Sequence, residues 1–490
     1  MTIKDKLTAE PGFAYVIDAM ELMSSLGRSR MMSQPFCTDG AALEEEYRRI
    51  QTIITILDDK SLMRPVATIR HQLMQLHDLR GTIANLRHHN VLEEIELFEL
   101  KNMAFLCMET LRAAASAGID DIIAIPDMQP LFSLLDPDQT HIATFYIYDS
   151  YHPELPEIRR QLKAIQTQLD SLGLCASGHD DPYADQRVKL QLEFNELFDR
   201  QNVIQQQVVA QLSERLQDYT DILTAATEQM AYTDFLFAKA TLASRWGLTM
   251  PTLCDAKQPD ATSRYKALFN PRLMHRNEEL KRRYQRVDIS LTHGVTLITG
   301  ANMAGKTVLL KTVGIAQMMA QFGFFVPAEE AVVELVDDVL FCIGDEQNEM
   351  NGLSSFASEI IKISDTITRS QQQHLLILVD EPARTTNPIE GKAIVQSLAS
   401  LLDGRSSITL VTTHYSQLGL ACRRLRVRGF VETMSDSPLS PDNINDFMDY
   451  SLLADNSDEV PQEALRIAAI LHCNEQFLSR AQQFLEHGAC

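Results

Sequence analysis

The fold of this chain is decided by the stretch VTLITGANMAGKT at residues 295–307. Its first five residues are apolar or β-branched, which predicts a buried strand. The residues that follow, 306–322, have the apolar spacing of an amphipathic helix. Between strand and helix stands the pattern G-x-x-x-x-G-K-[ST], which cradles phosphates when it occupies this position. The stretch therefore predicts a phosphate-binding loop in an α/β domain.

Each part of this loop has an expected role. Gly300 and Gly305 allow backbone N–H groups and the following helix N-terminus to face the phosphates of a nucleotide. Lys306 would neutralise the outer phosphates, and Thr307 would be a ligand of Mg²⁺. The expected cofactors are ATP and Mg²⁺. The candidate nucleotide-binding residues in this segment are Gly300, Ala301, Asn302, Met303, Ala304, Gly305, Lys306, Thr307 and Val308.

Two further apolar runs, residues 375–379 and 408–413, are also predicted strands. The first ends in Asp380, expected to hold Mg²⁺, and Glu381, expected to orient or deprotonate the attacking water. The second ends in His414, which could polarise the γ-phosphate region. Such residues often only end a strand, but the phosphate loop favours the catalytic interpretation. The candidate catalytic residues are Glu381, Lys306 and His414, and the candidate metal ligands are Thr307 and Asp380.

A small polar loop, residues 351–356, precedes another predicted helix. In one interpretation Ser354 or Ser355 only caps that helix. In the other, both serines belong to the nucleotide-binding set and contact a phosphate, as in the nucleotide site of a neighbouring subunit. The sequence alone leaves both interpretations open.

The first half of the chain has mainly helical patterns. Residues 155–172 carry an apolar residue every three or four positions, turn residues follow at 178–182, and a looser apolar seam runs from 190 to 208. These patterns predict an antiparallel helical hairpin with its tip near Asp180. The predicted fold is therefore multidomain, with an N-terminal all-α core and lever, a long hairpin and a C-terminal α/β P-loop NTPase domain.

Four segments are predicted along the chain. Prolines at 251, 259 and 271 break helical continuity and suggest a boundary in this region. The segments are a helical core and connector domain at 1–150, the hairpin and return lever helices at 151–258, the ATPase domain at 259–455 and a C-terminal helical dimerisation segment at 456–490.

Composition limits the kinds of partner. The net charge of −22 is a handicap for binding DNA, since a nucleic-acid-binding protein needs basic surface to replace counterions. The eight cysteines form no C-x-x-C pair, which favours reduced thiols over a zinc or redox site. The apolar runs are strand-length and the N-terminus has no secretory pattern. A soluble cytoplasmic protein with no membrane segment is expected.

The motifs together resemble the ATPase domain of the MutS family, which makes the expected NTPase fold one of the ABC/MutS type. The order and spacing agree at residues 299–307, 321–328, 352–359, 380–381 and 413–415. Upstream, residues 25–28 and the helical hairpin resemble the core, lever and clamp regions of that family. This resemblance implies that the two helices of the hairpin are clamp-like arms.

The resemblance also implies a dimer. ATPase domains of the MutS family pair, and the serine loop of one subunit completes the nucleotide site of the other. Ser354 and Ser355 would then act across the interface, and helices between residues 461 and 485 would strengthen it. The partner could be a second copy of this chain or a related MutS-like subunit.

Several features differ from mismatch-repair members of that family. Those members carry an N-terminal mismatch-reading domain with a Phe-x-Glu wedge, whereas this chain begins with the core, so mismatch recognition is not expected. Acidic residues also outnumber basic ones at 176–200. The sequences at 77–82, 92–101, 145–149 and 382–388 resemble those of a MutS-related branch, the reactivase of adenosylcobalamin-dependent lysine 5,6-aminomutase.

The main functional hypothesis is therefore an ATP-driven dimeric clamp that reactivates this aminomutase by exchange of damaged cobalamin. The alternative is a DNA-binding MutS-family ATPase that acts on DNA junctions or damage, with basic residues at 281–286 and 423–428 as candidate contacts. A non-catalytic scaffold is disfavoured because all the candidate catalytic residues are present.

Overall fold

The computed structural model describes two compact units. The first unit comprises Met1–Glu21, Met32–Ile54 and Ala238–Cys490, and the second comprises Leu22–Met31 and Thr55–Phe237. The predicted segment 1–150 thus contributes to both units, and the four predicted boundaries stay predictions. The described residues are 1–7, 10–141, 144–173, 183–254, 263–301, 304–343, 355–384, 386–431, 444–455, 465, 468–469 and 473–487.

Helices supply the regular structure of the described part of the second unit, apart from short 3₁₀ turns, and they flank the sheets of the first. In chain order they are α1 Ile3–Lys6, α2 Pro11–Asp18, α3 Ser25–Met32, α4 Gly40–Asp58, α5 Met63–Met74, α6 Arg80–Arg87, α7 Glu94–Ala117, α8 Gln129–Leu135, α9 Leu155–Gly173, α10 Ala184–Leu216, α11 Thr220–Trp246, α12 Pro271–Glu279, α13 Lys306–Gln321, α14 Ser355–Arg369, α15 Pro388–Leu402 and α16 Glu475–His487.

The hairpin of the second unit is formed by α9 and α10, which pack against each other. The predicted apolar seam of α9 is buried at Ile158 and Ile165. Arg200, in the middle of α10, forms an ion pair with Glu154, which directly precedes α9, so the two helices run antiparallel. The predicted tip lies outside the described residues, and the role of these helices as clamp arms stays a prediction.

The first unit contains two sheets. The larger has the strand order β10-β9-β4-β8-β7-β6 and is parallel except for β10, and the smaller has the order β1-β5-β2-β3. The strands are β1 Thr252–Cys254, β2 Arg264–Leu268, β3 Val287–Ser290, β4 Gly294–Thr299, β5 Glu330–Glu334, β6 Asp338–Ile343, β7 Leu375–Asp380, β8 Ile408–Thr412, β9 Arg423–Phe430 and β10 Met448–Ala454.

The central strands of the larger sheet are buried on both faces, which explains their continuous apolar sequences. Because side chains alternate along a strand, one face of the sheet receives Val295 and Ile377, which join the core formed with α15. The other face receives α13, where a Cβ on Gly314 would lie 2.4 Å from Phe341. Glycine thus allows α13 to lie close to the sheet.

Parallel pairing brings functional positions to one edge of the larger sheet. Strand β8 lies between β4 and β7 and pairs with both, with Ile298 opposite Thr412 and Val379 opposite Val411. Their carboxyl ends therefore meet at the same edge. Among the described residues, no helix is both long and apolar enough to cross a membrane.

Candidate functional site

The phosphate-loop sequence connects β4 to α13, as its pattern predicts. Gly300 has a φ of 147° and Gly305, which caps the N-terminus of α13, has a φ of 72°. A side chain is strained at such angles, and a Cβ on Gly305 would also lie 3.1 Å from the ring of Tyr450. Both glycines are thus needed for this backbone path. Asn302 and Met303 lie outside the described residues.

Lys306 folds back over the loop instead of extending into solvent. Its side chain is 3% exposed, and its Nζ donates hydrogen bonds to the carbonyl oxygens of Gly300 at 2.8 Å and Ala301 at 3.0 Å. The same Nζ lies 3.3 Å from Oε1 of Glu381. A buried ammonium group needs such partners to offset its desolvation. The predicted phosphate-binding and catalytic residues are therefore neighbours.

The two candidate metal ligands are in direct contact. The hydroxyl of Thr307 donates a hydrogen bond to Oδ2 of Asp380 at 2.6 Å. The hydroxyl of Thr412, at the end of β8, donates to the other oxygen of the same carboxylate, also at 2.6 Å. Thr412 also accepts the backbone N–H of Glu381 at 2.9 Å. Hydroxyl and carboxylate oxygens are the donors that Mg²⁺ prefers, so this pair of candidate ligands fits that ion.

Thr412 is a site residue that the sequence analysis missed. Its hydroxyl donates a hydrogen bond that orients the Asp380 carboxylate and accepts one from the backbone N–H of Glu381. The available signal was its position at the end of a predicted strand whose parallel neighbour ends in the acidic pair.

The turn after β7 has an unusual backbone at the candidate catalytic carboxylate. Glu381 has a φ of 44° and Ala383 a φ of 61°, both in the left-handed region that non-glycine residues rarely adopt. A residue of α14 stabilises this turn: the N–H of Ala383 donates to Oε1 of Glu359 at 3.0 Å. Burial raises the pKa of the Glu359 carboxyl. The surrounding contacts thus support a strained position for Glu381.

His414 lies at the same edge of the sheet but in a more open position. The N–H of Thr413 donates to the carbonyl of Ile298 at 3.1 Å, which places the end of β8 beside the end of β4. The His414 side chain is exposed, and its ring centroid lies 4.3 Å from that of Tyr415. Its position beside the loop is compatible with the predicted role, which stays a prediction.

A cavity of about 320 Å³ lies on the other side of the α13 N-terminus. Its lining includes Gly305, Val308, Tyr284, Val287 and Tyr450. Val308, a predicted nucleotide-binding residue, is 36% exposed. Burial raises the pKa of the Tyr450 phenol. The loop therefore has an aromatic and apolar pocket next to its polar groups.

Only the last two residues of the predicted serine loop, 355 and 356, lie among the described residues. Ser355 is the first residue of α14, whereas Ser354 lies outside the described residues. The choice between a helix cap and a contact with a partner's nucleotide therefore stays open.

Comparison with known proteins identifies the same part of the chain. Residues 296–486 match the family model of MutS domain V. The match shows that this region is similar to a domain of the MutS family. Endonuclease MutS2 of Bacillus cytotoxicus is 33% identical over 216 residues, which are 44% of this chain and 26% of that protein. Endonuclease MutS2 of Clostridium novyi is 32% identical over 234 residues, 47% of this chain and 28% of that protein.

A third relative has a similar extent. Endonuclease MutS2 of Geobacillus thermodenitrificans is 34% identical over 214 residues, 44% of this chain and 26% of that protein. The aligned region thus spans about a quarter of the length of these curated relatives. The similarity concerns a MutS-type domain, and none of these relatives is named as an aminomutase reactivase.

Proposed function

We propose that this protein is a Mg²⁺-dependent ATPase of the MutS type. The observation that carries the proposal is the 2.6 Å hydrogen bond from the Thr307 hydroxyl to the Asp380 carboxylate. A hydroxyl at the N-terminus of the helix after a phosphate loop and an acid at the end of a nearby parallel strand form the Mg²⁺ site of P-loop NTPases. The match to MutS domain V supports the same chemistry.

The chain's own residues divide the work of the proposed reaction. The N–H groups at the start of α13 and the Lys306 ammonium bind and orient the phosphates. Thr307 and Asp380 hold Mg²⁺, which when bound would neutralise charge on the phosphate oxygens. Glu381 orients the attacking water or accepts its proton, and the Thr412 hydroxyl keeps the Glu381 backbone in place.

The cavity beside Gly305 is the proposed site of the nucleotide base. It adjoins the phosphate loop and offers the rings of Tyr284 and Tyr450 together with apolar Val287 and Val308. Aromatic and apolar walls bind a planar base by stacking and by exclusion of water.

ATP hydrolysis by the purified chain, alone or with a related subunit, tests the ATPase proposal. Glu381→Gln should keep nucleotide binding and lower the hydrolysis rate about 10²- to 10⁴-fold, because only the proton acceptor is lost. Lys306→Ala should lose binding and hydrolysis. Lys311→Ala, which removes the same charge from a later turn of α13, is the matched control. Equal activity in all four proteins would contradict the proposal.

We further propose that the working form is a dimer. Helix α16 exposes Phe477, Phe484 and Leu485, whose exposed fractions are 64%, 74% and 51%. Exposed apolar side chains seven and eight positions apart lie on one side of a helix and favour burial against another subunit. This supports the predicted role of the C-terminal segment, with a second copy of this chain as the first candidate partner.

A mixing experiment tests whether the nucleotide site is shared between subunits. Lys306→Ala disables the loop of its own subunit, and Ser355→Arg would block the serine contribution to the partner's site. If sites are shared, a mixture of the two inactive variants should regain activity, since some mixed dimers contain one intact site. A mixture as inactive as each variant alone, with mixed dimers present by mass, would contradict the shared site.

The partner on which the ATPase acts has two candidates. DNA is favoured by the MutS2 relatives, whose name describes an endonuclease. Two residues of the candidate basic clusters already form ion pairs within the chain: Arg428 pairs with Asp449 at 3.2 Å and Arg286 with Glu329 at 3.2 Å. Their charges are thus partly neutralised, which weakens the case for these clusters as DNA contacts.

The aminomutase client is the second candidate. It is favoured by a small acidic excess in the first half of α10, because acidic residues repel DNA phosphates, although α9 and α10 together carry seven acidic and seven basic residues. In residues 184–200 of α10, the acidic side chains are Asp185, Glu193, Glu196 and Asp199, and the basic ones are Arg187, Lys189 and Arg200.

One pair of assays separates the two candidates. Binding to branched DNA and to a linear duplex is measured over a salt series with ATP, and recovery of inactivated lysine 5,6-aminomutase is measured with ATP, Mg²⁺ and fresh adenosylcobalamin. Salt-sensitive DNA binding without recovery supports DNA. Recovery that is lost in Lys306→Ala supports the aminomutase client and contradicts DNA as the main partner.

A further inference from the structure

A second cluster of chemically active side chains lies away from the phosphate loop. His293 precedes β4, His374 precedes β7, and Glu334 is the last residue of β5. Nε2 of His293 lies 2.7 Å from Oε1 of Glu334, and Nε2 of His374 lies 3.0 Å from the same oxygen. The potential ligand atoms of the three residues all lie within 4.8 Å of one another. Two imidazoles thus converge on one carboxylate.

The hydrogen bonding of this cluster is incomplete. Glu334 is 0% exposed, and its Oε2 is buried without a hydrogen-bond partner. Nε2 of His374 is also buried and lies 3.0 Å from Oε1 of Glu334 without well-formed hydrogen-bond geometry, while the Ser406 backbone lies within reach of the same ring. Buried polar atoms without partners are costly, so a cluster of them demands an explanation. A bound cation would supply partners for the ring nitrogen and the carboxylate.

The three side chains are held by their backbones. The N–H of Glu334 donates to the Ser263 hydroxyl oxygen at 2.9 Å, and its carbonyl accepts from the side-chain amide of Gln317 at 2.7 Å. The N–H of His374 donates to Asp337 at 2.8 Å. These contacts fix the positions of two of the three candidate ligands, as a metal site requires.

We propose that His293, Glu334 and His374 bind a divalent transition-metal ion, with Zn²⁺ as the best fit. Two imidazoles and one carboxylate are a common ligand set for Zn²⁺ that leaves a fourth position open. Zn–ligand bonds of about 2.0–2.1 Å in a tetrahedral site imply ligand separations of about 3.3 Å. The separations of 2.7 and 3.0 Å from Oε1 need to widen slightly to reach this value, and the third, between the two imidazole nitrogens, lies within 4.8 Å and can reach it by adjustment of the His293 ring.

The opening for the fourth ligand lies on the His293 side. The His293 side chain is 39% exposed, whereas that of His374 is 20% exposed and that of Glu334 is buried. His293 can therefore adjust its ring and admit the ion together with a water molecule. The chemistry differs from that of the Thr307 and Asp380 pair, whose oxygen donors suit Mg²⁺.

The competing explanation is a histidine–glutamate ion pair without metal. Burial alone would raise the pKa of Glu334, but its contacts with His374 and His293 hold that pKa below its usual range. The same carboxylate raises the pKa of His374. An ion pair therefore explains the proximity of the groups, but it leaves Oε2 of Glu334 unpaired, whereas bidentate coordination or a metal-bound water would give that oxygen a partner.

Cobalt titration of the metal-free full chain distinguishes the two explanations. Co²⁺ replaces Zn²⁺ in such sites and has visible d–d bands that report tetrahedral coordination. Without nucleotide or Mg²⁺, one Co²⁺ per chain should bind, show no thiolate charge-transfer band and be displaced by Zn²⁺. Glu334→Gln and His293→Ala should each weaken binding at least about tenfold, because each removes one of three ligands.

His71→Ala, which removes an exposed histidine from α5, is the matched control and should bind Co²⁺ as the unmodified chain does. His293→Ala keeps the experiment decisive if Glu334→Gln does not fold, because His293 is partly exposed and far ultraviolet circular dichroism verifies its helices. No spectral change on Co²⁺ addition, a thiolate band, or unchanged affinity in His293→Ala would overturn the metal site.

Discussion

Replacement of Thr307 by valine should separate metal binding from the stability of the site. Valine has nearly the shape of threonine but lacks the hydroxyl that donates to Asp380. Thr412→Val is the matched control, because it removes a hydrogen bond of the same length to the other oxygen of the same carboxylate. Only the Thr307 hydroxyl is a proposed Mg²⁺ ligand.

The two variants should differ in stability. Thr412 is fully buried and makes two hydrogen bonds, so Thr412→Val leaves the N–H of Glu381 without a partner and weakens the support of Asp380. Loss of both should cost about 2–4 kcal/mol of unfolding free energy. Thr307 and Asp380 are partly exposed, so water can replace the lost bond and Thr307→Val should cost about 1 kcal/mol or less.

For the Mg²⁺ requirement, Thr307→Val should be the more strongly affected variant, the reverse of the order in stability. Loss of one direct ligand should raise the Mg²⁺ concentration needed for half-maximal ATP hydrolysis at least about tenfold in Thr307→Val, equivalent to about 1.4 kcal/mol. Thr412→Val keeps both proposed ligands, so its Mg²⁺ requirement should change less than about threefold. The less stable variant is thus expected to be the better metal binder.

Two measurements check this reversal. Urea denaturation without nucleotide gives the stability order, and the rate of phosphate release over a Mg²⁺ series gives the metal requirement. Equal Mg²⁺ shifts in the two variants would refute the reasoning, since they would show that orientation of Asp380, not a ligand at Thr307, controls the ion.

Two further predictions concern stability. Gly314→Ala should destabilise the first unit by about 1–3 kcal/mol, since its Cβ would lie 2.4 Å from Phe341, whereas Gly81→Ala, with open space at its Cβ, should stabilise by about 0.5–1 kcal/mol; urea midpoints test both. Lys101→Met should lower the unfolding free energy by about 3–5 kcal/mol, because it leaves the buried Asp136 carboxylate without the Lys101 ammonium. Burial would raise the Asp136 pKa, but hydrogen bonds, including that from Lys101, hold it well below its usual range, so this carboxylate stabilises the fold above about pH 4 and that contribution is lost in acid. Urea denaturation followed by helical ellipticity should therefore give Lys101→Met a lower unfolding free energy than the unmodified chain at neutral pH. Between neutral pH and acid, its unfolding free energy should fall by less than that of the unmodified chain, and an equal fall would contradict this.

The nucleotide half of the fold is well encoded by local sequence. Strands β4, β7 and β8 lie between two layers of helices, so each is a continuous apolar run that pattern alone detects. Parallel pairing then brings the residues after these strands to one edge. The contact between Thr307 and Asp380, 73 positions apart, follows from that rule.

The smaller sheet could not be predicted in the same way. Its strands are three to five residues long and pair in the order β1-β5-β2-β3, which follows no local pattern. Such short segments depend on contacts with distant parts of the chain. The prolines around them indicated only that helices end there.

The histidine cluster illustrates the same limit for a site. His293 and His374 each stand directly before a predicted strand, and parallel pairing could have placed both at the amino edge of the larger sheet. Glu334 belongs to the smaller sheet, so the pattern gave no reason to place it there. The cluster has no fixed sequence spacing because two of its residues directly precede strands of the larger sheet and the third ends a strand of the smaller one.

Strand β4 links the two proposed sites and also keeps them apart. His293 precedes its first residue and Gly300 follows its last, and six residues of strand extend about 20 Å. An ion at the histidine cluster is thus too far away to contact a nucleotide on the phosphate loop, and its donors select a different metal. Loss of metal at the cluster can influence ATP hydrolysis only by a shift of β4, or of β7, which follows His374 and ends in Asp380, and both strands are buried and paired on both sides. Failure of either site therefore leaves the reasoning for the other intact.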